Sequence, residues 1–346
     1  MTTGNKFGIH RVVEPQGVLP QPAWKLDNNM DTVYDNEILI NVATLNIDAA
    51  SLTQIKEETG GDIDKIKAHM MGIVKERGKH HNPVTGSGGM LIGTVEKVGE
   101  KLAKERDLKP GDKIATLSSL SLTPLYIESI KEVRPEIDQV DIVGKAILFE
   151  SGLYAKIPTD MSDTLALAAL DVAGAPAQTA KLVKPGDTVF IIGAGGKSGL
   201  LCLHEAKKRV GVTGTVIGIS RSDSGCDRIR ETGLCDIVLQ GSASDSLDIL
   251  QKIEEVTDGQ LCDVTINNVN VSNTEMASIL ATKDDGIVYF FSMATNFTKA
   301  ALGAEGVGKD VQMIIGNGYT KGHAEITLEI LRENQTIRDI FERLYT

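Results

Sequence analysis

A glycine-rich turn between an apolar run and a helix-forming stretch constrains this chain most. In the segment DTVFIIGAGGKSG, residues 189–192 form a continuous apolar run that suits a strand buried on both faces of a parallel sheet. Four glycines follow, and a good helix sequence begins at Leu200. Glycine lets a backbone turn sharply and approach a pyrophosphate, whose charge the helix N-terminus then stabilises. The pattern predicts a dinucleotide-binding strand–turn–helix unit.

The spacing of these glycines fits G-x-x-G-x-x-G better than G-x-G-x-x-G. Lys197 and Ser198 would add a cation and a hydroxyl to a phosphate site. They also suggest a P-loop, but that motif needs four residues before its Gly-Lys-Ser/Thr, and only two follow Gly193 here. We therefore discount a P-loop enzyme. The residues predicted to bind a dinucleotide are Gly193, Ala194, Gly195, Gly196, Lys197, Ser198 and Gly199.

Strand and helix patterns alternate after this turn. Five more apolar runs predict strands at 216–219, 236–239, 263–267, 287–291 and 311–315. Such alternation is typical of a doubly wound parallel sheet, in which ligands bind at the carboxyl ends of the strands. Residues that follow the second, fourth and fifth of the six strands are therefore candidates for the cofactor site: Ser220, Arg221, Asn268, Val269, Ser292 and Met293.

The first 150 residues are rich in strand patterns and lack this alternation. Residues 8–13, 37–42 and 92–98 have the short apolar runs of strands. Between the second and third runs, residues 52–79 carry apolar side chains at helical spacing, which predicts an amphipathic helix packed on the domain. We interpret this segment as a structural insertion, with a substrate lid or an oligomer contact as the alternative.

Composition and charge exclude some partners. A length of 346 residues suggests two domains, and 41% apolar with 24% charged residues is ordinary for a globular protein. The net charge of −11 argues against nucleic acid or an anionic membrane as a partner. No apolar run has transmembrane length and the first residues lack a signal-peptide core, so a cytoplasmic location is expected.

Four short motifs make the chain similar to the medium-chain dehydrogenase/reductase superfamily. They are Asn46-Ile47-Asp48, Gly93-x-Val95-x-x-Val98-Gly99, Lys109-Pro110-Gly111-Asp112, and the Val183-Lys184-Pro185-Gly186-Asp187 that precedes the glycine turn. The resemblance implies a β-rich, GroES-like catalytic domain in residues 1–165 with 318–346, and a Rossmann domain in residues 166–317. It also implies a homo-oligomer, dimer or tetramer, formed through the cofactor domain.

Three longer stretches resemble the family of L-erythro-3,5-diaminohexanoate dehydrogenases. They are residues 82–99, 165–186 and 290–310, and the likeness extends over nearly the whole chain. It implies the oxidative deamination of a small diamino acid in lysine fermentation, with NAD or NADP as hydride acceptor. The implied products are 5-amino-3-oxohexanoate and ammonium.

The chain departs from the zinc-dependent members of the superfamily. Its four cysteines lie at positions 202, 226, 235 and 262, without CxxC spacing, so the N-terminal half supplies none. The usual sulfur-rich zinc tetrahedron therefore cannot form there. His80 and His81 remain as a pair without a partner motif, which is more typical of surface or substrate-contacting residues. We predict no metal.

Side chains must then assist the deamination, which needs an uncharged amine and a general base for the attack of water on the imine. Asp48, Glu150 and Asp171 are candidates for this base or for binding the distal ammonium. Arg77, Lys79 and His80 are candidates for binding the carboxylate.

The choice of cofactor and two alternative functions stay open. An acidic residue near the end of the second strand usually holds the adenosine ribose, but Ser220 and Arg221 occupy that place, with Asp223 further on. An arginine there favours the 2′-phosphate of NADP, whereas the family resemblance implies NAD. The alternatives to an amine dehydrogenase are a zinc-independent quinone or enoyl reductase using NADPH, and a non-catalytic protein that keeps the fold. The intact glycine turn argues against a non-catalytic protein.

Overall fold

The chain divides into two compact units, Met1–Leu167 and Ala168–Thr346. The structure is a computed structural model that describes residues 2–316 and 318–346. Met1 and Asn317, which fall within the predicted domain ranges, lie outside the described residues.

The first unit is built on an antiparallel sheet. Its elements are β1 (Val12–Glu14), β2 (Lys25–Leu26), β3 (Glu37–Ile47), α1 (Ala49–Thr59), α2 (Ile63–Arg77), β4 (Gly89–Val98), α3 (Leu102–Glu105), β5 (Lys113–Thr116), β6 (Leu125–Arg134), β7 (Gln139–Phe149), β8 (Tyr154–Lys156) and α4 (Asp163–Leu170), in which the division falls. Six strands pair in the order β6-β7-β3-β4-β5-β8, and β1 and β2 form a separate ribbon. The β-rich domain is thus confirmed.

Strand position explains the burial patterns in this sheet. The central strand β3 is buried along most of its length, and Ile38, Ile40 and Leu45 are fully buried. At the sheet edge, β6 exposes many of its residues, as expected for a strand that packs on one face only. Helix α2 covers the core with Ile66, Met70 and its other apolar side chains.

Two details of the N-terminal region differ from the sequence prediction. Residues Ile9–Arg11 form a 3-10 helix, so only the end of the predicted first strand is extended. The segment 52–79 contains two helices, because Gly60 and Gly61 adopt φ values of +66° and +75° that end α1. The predicted amphipathic helix corresponds to α2.

The second unit is a doubly wound α/β sheet. Its elements are α5 (Gly174–Leu182), β9 (Thr188–Ile192), α6 (Lys197–Val210), β10 (Thr215–Ser220), α7 (Asp223–Thr232), β11 (Ile237–Gln240), α8 (Ser246–Val256), β12 (Cys262–Asn267), α9 (Glu275–Ala281), β13 (Thr282–Phe290), α10 (Phe297–Val307), β14 (Gln312–Ile315), α11 (His323–Glu333) and α12 (Gln335–Tyr345). All six strands are parallel, in the order β11-β10-β9-β12-β13-β14. This confirms the predicted Rossmann topology.

The apolar run before the glycine turn forms the centre of this sheet. Residues Val189, Phe190, Ile191 and Ile192 of β9 have no exposed surface. β9 lies between β10 and β12. The chain first extends the sheet on one side of β9 with β10 and β11, and then crosses to the other side to form β12, β13 and β14. The carboxyl end of β9 is therefore the point at which the strand order reverses, where this fold binds ligands.

The last two helices pack on the second unit, which differs from the expected grouping of residues 318–346 with the β-rich domain. Helix α11 contacts α5 and α6, and α12 contacts α6 and α7. Each of the two helices carries an apolar stripe that must be covered, and α12 buries Ile337, Ile340 and Phe341. None of the helices in the described ranges has both the length and the apolar character that crossing a bilayer requires.

A buried ion pair fixes the start of β3. Arg11 Nε donates to Glu37 Oε1 and Arg11 Nη2 donates to Glu37 Oε2, both at 2.7 Å. Both side chains are almost fully buried, at 1% and 0% exposure. Burial alone would raise the pKa of Glu37, but hydrogen bonds from Arg11 and His10 outweigh it and hold that pKa below its ordinary value.

We expect Glu37→Gln to lower the free energy of unfolding by about 3–5 kcal/mol, because the Arg11 charge stays buried and keeps only the exposed Asp27, 3.6 Å away, as an acidic neighbour. The folded-state pKa of Glu37 is depressed, so its contribution is complete above the ordinary value of 4.5 and is lost as the pH falls through the folded-state value. Urea unfolding at neutral and acidic pH measures both effects. The matched control is Glu96→Gln, which breaks an exposed pair with Lys145 and should cost below about 1 kcal/mol. Equal losses for the two variants would contradict the argument.

Candidate functional site

Three glycines of the turn are required by geometry. Gly193 has a φ of +79°, in the left-handed region that favours glycine. A Cβ on Gly195 would lie 2.4 Å from the carbonyl oxygen of Gly225, and one on Gly199 would lie 2.2 Å from that of Gly193. A Cβ on Gly196 would meet nothing closer than 3.4 Å. Side chains are therefore excluded where the turn touches α7 and where α6 packs on the turn.

The turn presents the first amides of α6 to a ligand. Gly196 is the N-cap of α6, and no side chain caps the helix. The first amides of a helix lack partners within the helix, and they attract an anion together with the helix dipole. Ala194 lies beneath the turn, fully buried, and its amide donates to Ile219 O at 3.1 Å. It supports the turn without adding a side chain to the site.

A cavity of about 400 Å³ opens beside this turn. Of the predicted cofactor residues, it brings together Gly193, Gly195, Gly196, Lys197, Ser198, Ser220, Arg221, Asn268 and Val269. The wall also contains Ile192, Ile219, Arg228, Gly241, Ser242, Ala243, Ser244, Asn270 and Val271. Of these, Ser242 and its neighbours follow the carboxyl end of β11, so applying the strand-end rule to that strand would have found them.

The charged side chains around this cavity are cationic. Arg228 Nε donates to Gly195 O at 2.8 Å, and Arg221 lies at the end of β10. Lys197 Nζ lies 3.2 Å from Asp171 Oδ2. No acidic residue lines the cavity within the described part of the chain. The cavity therefore suits a ligand with several negative charges.

Asp223 does not take the place of the acidic residue that would bind the adenosine ribose. Its Oδ1 accepts a hydrogen bond from Gln240 Nε2 at 2.9 Å, and it is not part of the cavity wall. Ser222 caps α7 by accepting a hydrogen bond from the amide of Gly225 at 3.1 Å. The end of β10 thus offers Ser220 and Arg221 to the cavity.

Asn268 provides a free donor at the opposite wall. Its Nδ2 is buried and makes no hydrogen bond within the described residues, although the residue lines the cavity. A buried donor without a partner is costly and is explained when a ligand supplies the acceptor. Val269 packs against the turn, since a Cβ on Gly193 would lie 2.6 Å from its Cγ1.

The two residues predicted after β13 lie outside this cavity wall. Ser292 accepts a hydrogen bond from the amide of Ala294 at 3.1 Å, and its own amide donates to Asn267 O at 3.3 Å. Met293 is 86% exposed. Their predicted contact with a cofactor remains a prediction.

Two of the three candidate acids have structural partners in the first unit. Asp48 caps α1 by accepting a hydrogen bond from the amide of Ala50 at 3.0 Å, and it accepts another from Ser87 Oγ at 3.2 Å. Glu150 Oε2 lies 2.7 Å from Lys101 Nζ. Hydrogen bonds from Lys101 and Asn36 hold the pKa of Glu150 below its ordinary value. Asp48 therefore acts as a helix cap, and Glu150 is part of an ion pair. Asp171 instead lies next to the cavity, since its Oδ2 is 3.2 Å from Nζ of the cavity residue Lys197.

The candidate cations Arg77 and Lys79 are buried at the end of α2. Arg77 stacks over the ring of Trp24 at 4.3 Å and donates to the carbonyl oxygens of Trp24 and His81. Lys79 has no exposed surface, and its Nζ donates to the carbonyl oxygens of Pro20 at 2.7 Å and Gln21 at 2.9 Å. Burial and, as the smaller cause, the charge of Arg77 lower the pKa of Lys79 to about 7.

The two adjacent histidines complete this basic cluster. His80 is fully buried, and neither ring nitrogen makes a well-formed hydrogen bond within the described residues. Burial lowers the pKa of His80 to about 4, while the backbone of Gly88 acts in the opposite direction. Burial and the charges of Lys79 and Arg77 lower the pKa of His81 to about 4 as well. Both histidines are therefore neutral at pH 7, and the positive charge of the cluster belongs to Arg77 and Lys79.

The cysteines lie in the second unit as thiols. Cys202, Cys226 and Cys262 are buried, Cys235 is half-buried, and none forms a disulfide. Burial raises the pKa of Cys202 to about 12. Within residues 2–316 and 318–346, no three side chains of the His, Cys, Asp and Glu types come together as metal ligands would.

Comparison with known proteins identifies close relatives. Residues 10–158 match the family model described as the N-terminal domain of L-erythro-3,5-diaminohexanoate dehydrogenase. A protein of that name from Acetoanaerobium sticklandii is 64% identical over 342 residues, which cover 99% of each chain. Another from Fusobacterium nucleatum is 60% identical over 345 residues, which cover 100% of each chain.

Solved structures share the fold at low identity. A mycobacterial protein solved in complex with NADPH matches with a TM-score of 0.54 and 18% identity, over 93% of this chain and 85% of that chain. At this identity the likeness concerns the fold alone.

We expect Gly195→Ala to lower the free energy of unfolding by about 1–3 kcal/mol, because its Cβ forces the turn away from α7 at Gly225. The matched control is Gly196→Ala in the same turn, where the space is sufficient, and it should stay within about 0.5 kcal/mol of the parent. Chemical unfolding of both variants measures the difference. Equal stabilities would show that contact with α7 does not fix the turn.

Proposed function

The chain belongs to the L-erythro-3,5-diaminohexanoate dehydrogenase family, and from this premise we propose that it oxidatively deaminates L-erythro-3,5-diaminohexanoate with a nicotinamide dinucleotide as hydride acceptor. The observation that carries the proposal is the match of 64% and 60% identity over essentially whole chains. The dinucleotide cavity in the second unit is consistent with it.

The residues of this cavity fit a nicotinamide dinucleotide. The open N-terminus of α6 and the close-packed glycines would hold the pyrophosphate, with Lys197 supplying a cation. The unpartnered Nδ2 of Asn268 would donate to the ligand on the other wall. When bound, the nicotinamide accepts the hydride that leaves the substrate carbon.

The substrate then needs groups that bind its charges and move its protons. Loss of hydride from the carbon that bears the 3-amino group leaves an imine, and water adds to this imine to release ammonium and the ketone. We propose that Asp171, whose carboxylate lies 3.2 Å from the cavity residue Lys197, is the general base for the attack of water on the imine. All three acids are bound in the structure, Asp171 by Lys197 and the other two by a helix amide, a serine hydroxyl, a lysine and an asparagine. What favours Asp171 over Asp48 and Glu150 is its position next to a residue of the cavity wall.

The buried basic cluster is our proposed source of attraction for the carboxylate. Arg77 and Lys79 are buried cationic side chains, and charges interact more strongly in a buried site than in water. The partners of Lys79 are carbonyl oxygens, which leave its charge uncompensated by an acid. The neutral His80 would offer a ring nitrogen as a further hydrogen-bonding group.

Of the two dinucleotides NAD and NADP, we propose that the cavity accepts NADP. Arg221 and Ser220 stand where an acidic residue would hold a free 2′-hydroxyl, and Asp223 is bound to Gln240 instead. An arginine binds a phosphate through two parallel hydrogen bonds, which suits the 2′-phosphate.

We expect the purified chain to reduce NAD or NADP when L-erythro-3,5-diaminohexanoate is added, and to release one ammonium for each dinucleotide reduced. Absorbance of the reduced nicotinamide and an ammonium assay measure the two products. Gly195→Ala is the control variant, in which the displaced turn should abolish both signals. No reduction with this amine, together with oxidation of NADPH by a quinone, would favour the quinone reductase instead.

We expect Arg221→Ala to weaken NADP binding about 10- to 100-fold, because a charge-assisted hydrogen bond to the phosphate is lost. The affinity for NAD should change less than about threefold, since NAD lacks that phosphate. Fluorescence titration with both reduced dinucleotides measures the affinities. The matched control is Arg230→Ala, which removes an exposed arginine of α7 that pairs with Asp227 at 2.9 Å. Equal or better binding of NAD by the unaltered chain would refute the role given to Arg221.

A further inference from the structure

The C-terminal end of the chain lies at the dinucleotide turn. The Nζ of Lys197, the first residue of α6, lies 5.4 Å from the centre of the Tyr345 ring, at the end of α12. Lys197 also lines the dinucleotide cavity. A cation over an aromatic ring is attracted to its face, so the ring restricts where the ammonium can lie.

Tyr345 is itself held in place from two sides. Its ring packs edge-on against Phe341, with 5.1 Å between the ring centres, and Phe341 is fully buried. Two residues before Tyr345, Arg343 donates hydrogen bonds to the carboxylate of Glu231 in α7 at 3.1 and 3.4 Å. Helix α12 therefore contacts both α6 and α7, the helices that supply Lys197, Ser198 and Arg228 to the cavity.

The charges of Lys197 and Arg228 both act on the phenol group of Tyr345. Burial raises the pKa of Tyr345, while the charges of Lys197 and Arg228 act to lower it. Arg228 in turn binds the Gly195 carbonyl oxygen at 2.8 Å. The phenol group is thus subject to the charges of two cations that border the glycine turn, and Lys197 is the one whose ammonium lies over its ring.

Asp171 holds Lys197 as well. Its Oδ2 lies 3.2 Å from Lys197 Nζ, and the two side chains are 29% and 22% exposed. The acid and the ring together leave the ammonium a narrow range of positions, which reduces the conformational entropy that a flexible lysine loses when it binds a phosphate.

We propose that Tyr345 is a positioning residue for dinucleotide binding, whose ring holds the Lys197 ammonium at the pyrophosphate subsite. Through this contact the C-terminal helix becomes part of the cofactor site. The inference rests on the proposed binding of a dinucleotide at the glycine turn.

The test is fluorescence titration of the full chain with NADPH and NADH. Tyr345→Leu keeps apolar bulk and removes the aromatic face, and we expect it to raise both dissociation constants about three- to tenfold. Tyr345→Phe keeps the face and should bind as the unaltered chain does. The matched control is Leu344→Ala at the neighbouring, 39% exposed position of α12, which should leave affinity unchanged.

A double-mutant cycle separates positioning from a general effect on the fold. In a Lys197→Gln background, Tyr345→Leu should add less than about a twofold loss, because the cation that the ring positions is gone. The midpoint of thermal unfolding without dinucleotide should be equal for Tyr345→Leu and Tyr345→Phe. A full additional loss in the Lys197→Gln background, equal losses in both Tyr345 variants, or unaltered binding by Tyr345→Leu would overturn the proposal. Failure of the unaltered chain to bind either dinucleotide would instead refute the proposed cofactor site.

Discussion

The site depends on the close approach of three backbone segments where β9 ends. Gly195 lies against Gly225 at the start of α7, and Gly199 of α6 lies against Gly193 of the turn. These contacts bring the N-terminal turns of α6 and α7 to the same edge of the sheet. Because β9 lies between β10 and β12 at the centre of the sheet, this edge is also where the strand order reverses. The cavity, its cations and its open amides all follow from these contacts.

The sequence predicted those features whose cause is local. An apolar run, a glycine turn and a helix sequence determine β9 and α6. The rule that ligands bind at strand ends predicted Arg221, Asn268 and Val269 as cofactor residues, and all three line the cavity. Arg228 was missed because its position depends on which face of α7 turns towards Gly195, and that is decided by packing. The Asp171–Lys197 pair joins residues 26 positions apart, which no local pattern connects.

The packing of the C-terminal helices shows a different limit of prediction from the sequence. Each helix carries an apolar stripe that must be covered, but a stripe carries no information about which surface it covers. The resemblance placed them with the β-rich domain, whereas the structure packs them on α5, α6 and α7. The contacts there include buried apolar side chains of α12 and exposed ion pairs such as Arg343 with Glu231 and Lys208 with Glu333. Such pairs are recognisable only once the helices are placed.

Charge is distributed unevenly for a chain with a net charge of −11. Both candidate binding regions are locally cationic, with Lys197, Arg221 and Arg228 around the cavity and Arg77 with Lys79 in the first unit. In the first unit, burial brings the pKa of Lys79 to about 7, so its charge is easily lost or gained near neutral pH. A bound carboxylate would favour the protonated lysine, and by linkage the protonated lysine would favour the carboxylate. Attraction for an anionic substrate in this cluster should therefore weaken as the pH rises above neutrality, while Arg77 keeps its charge throughout.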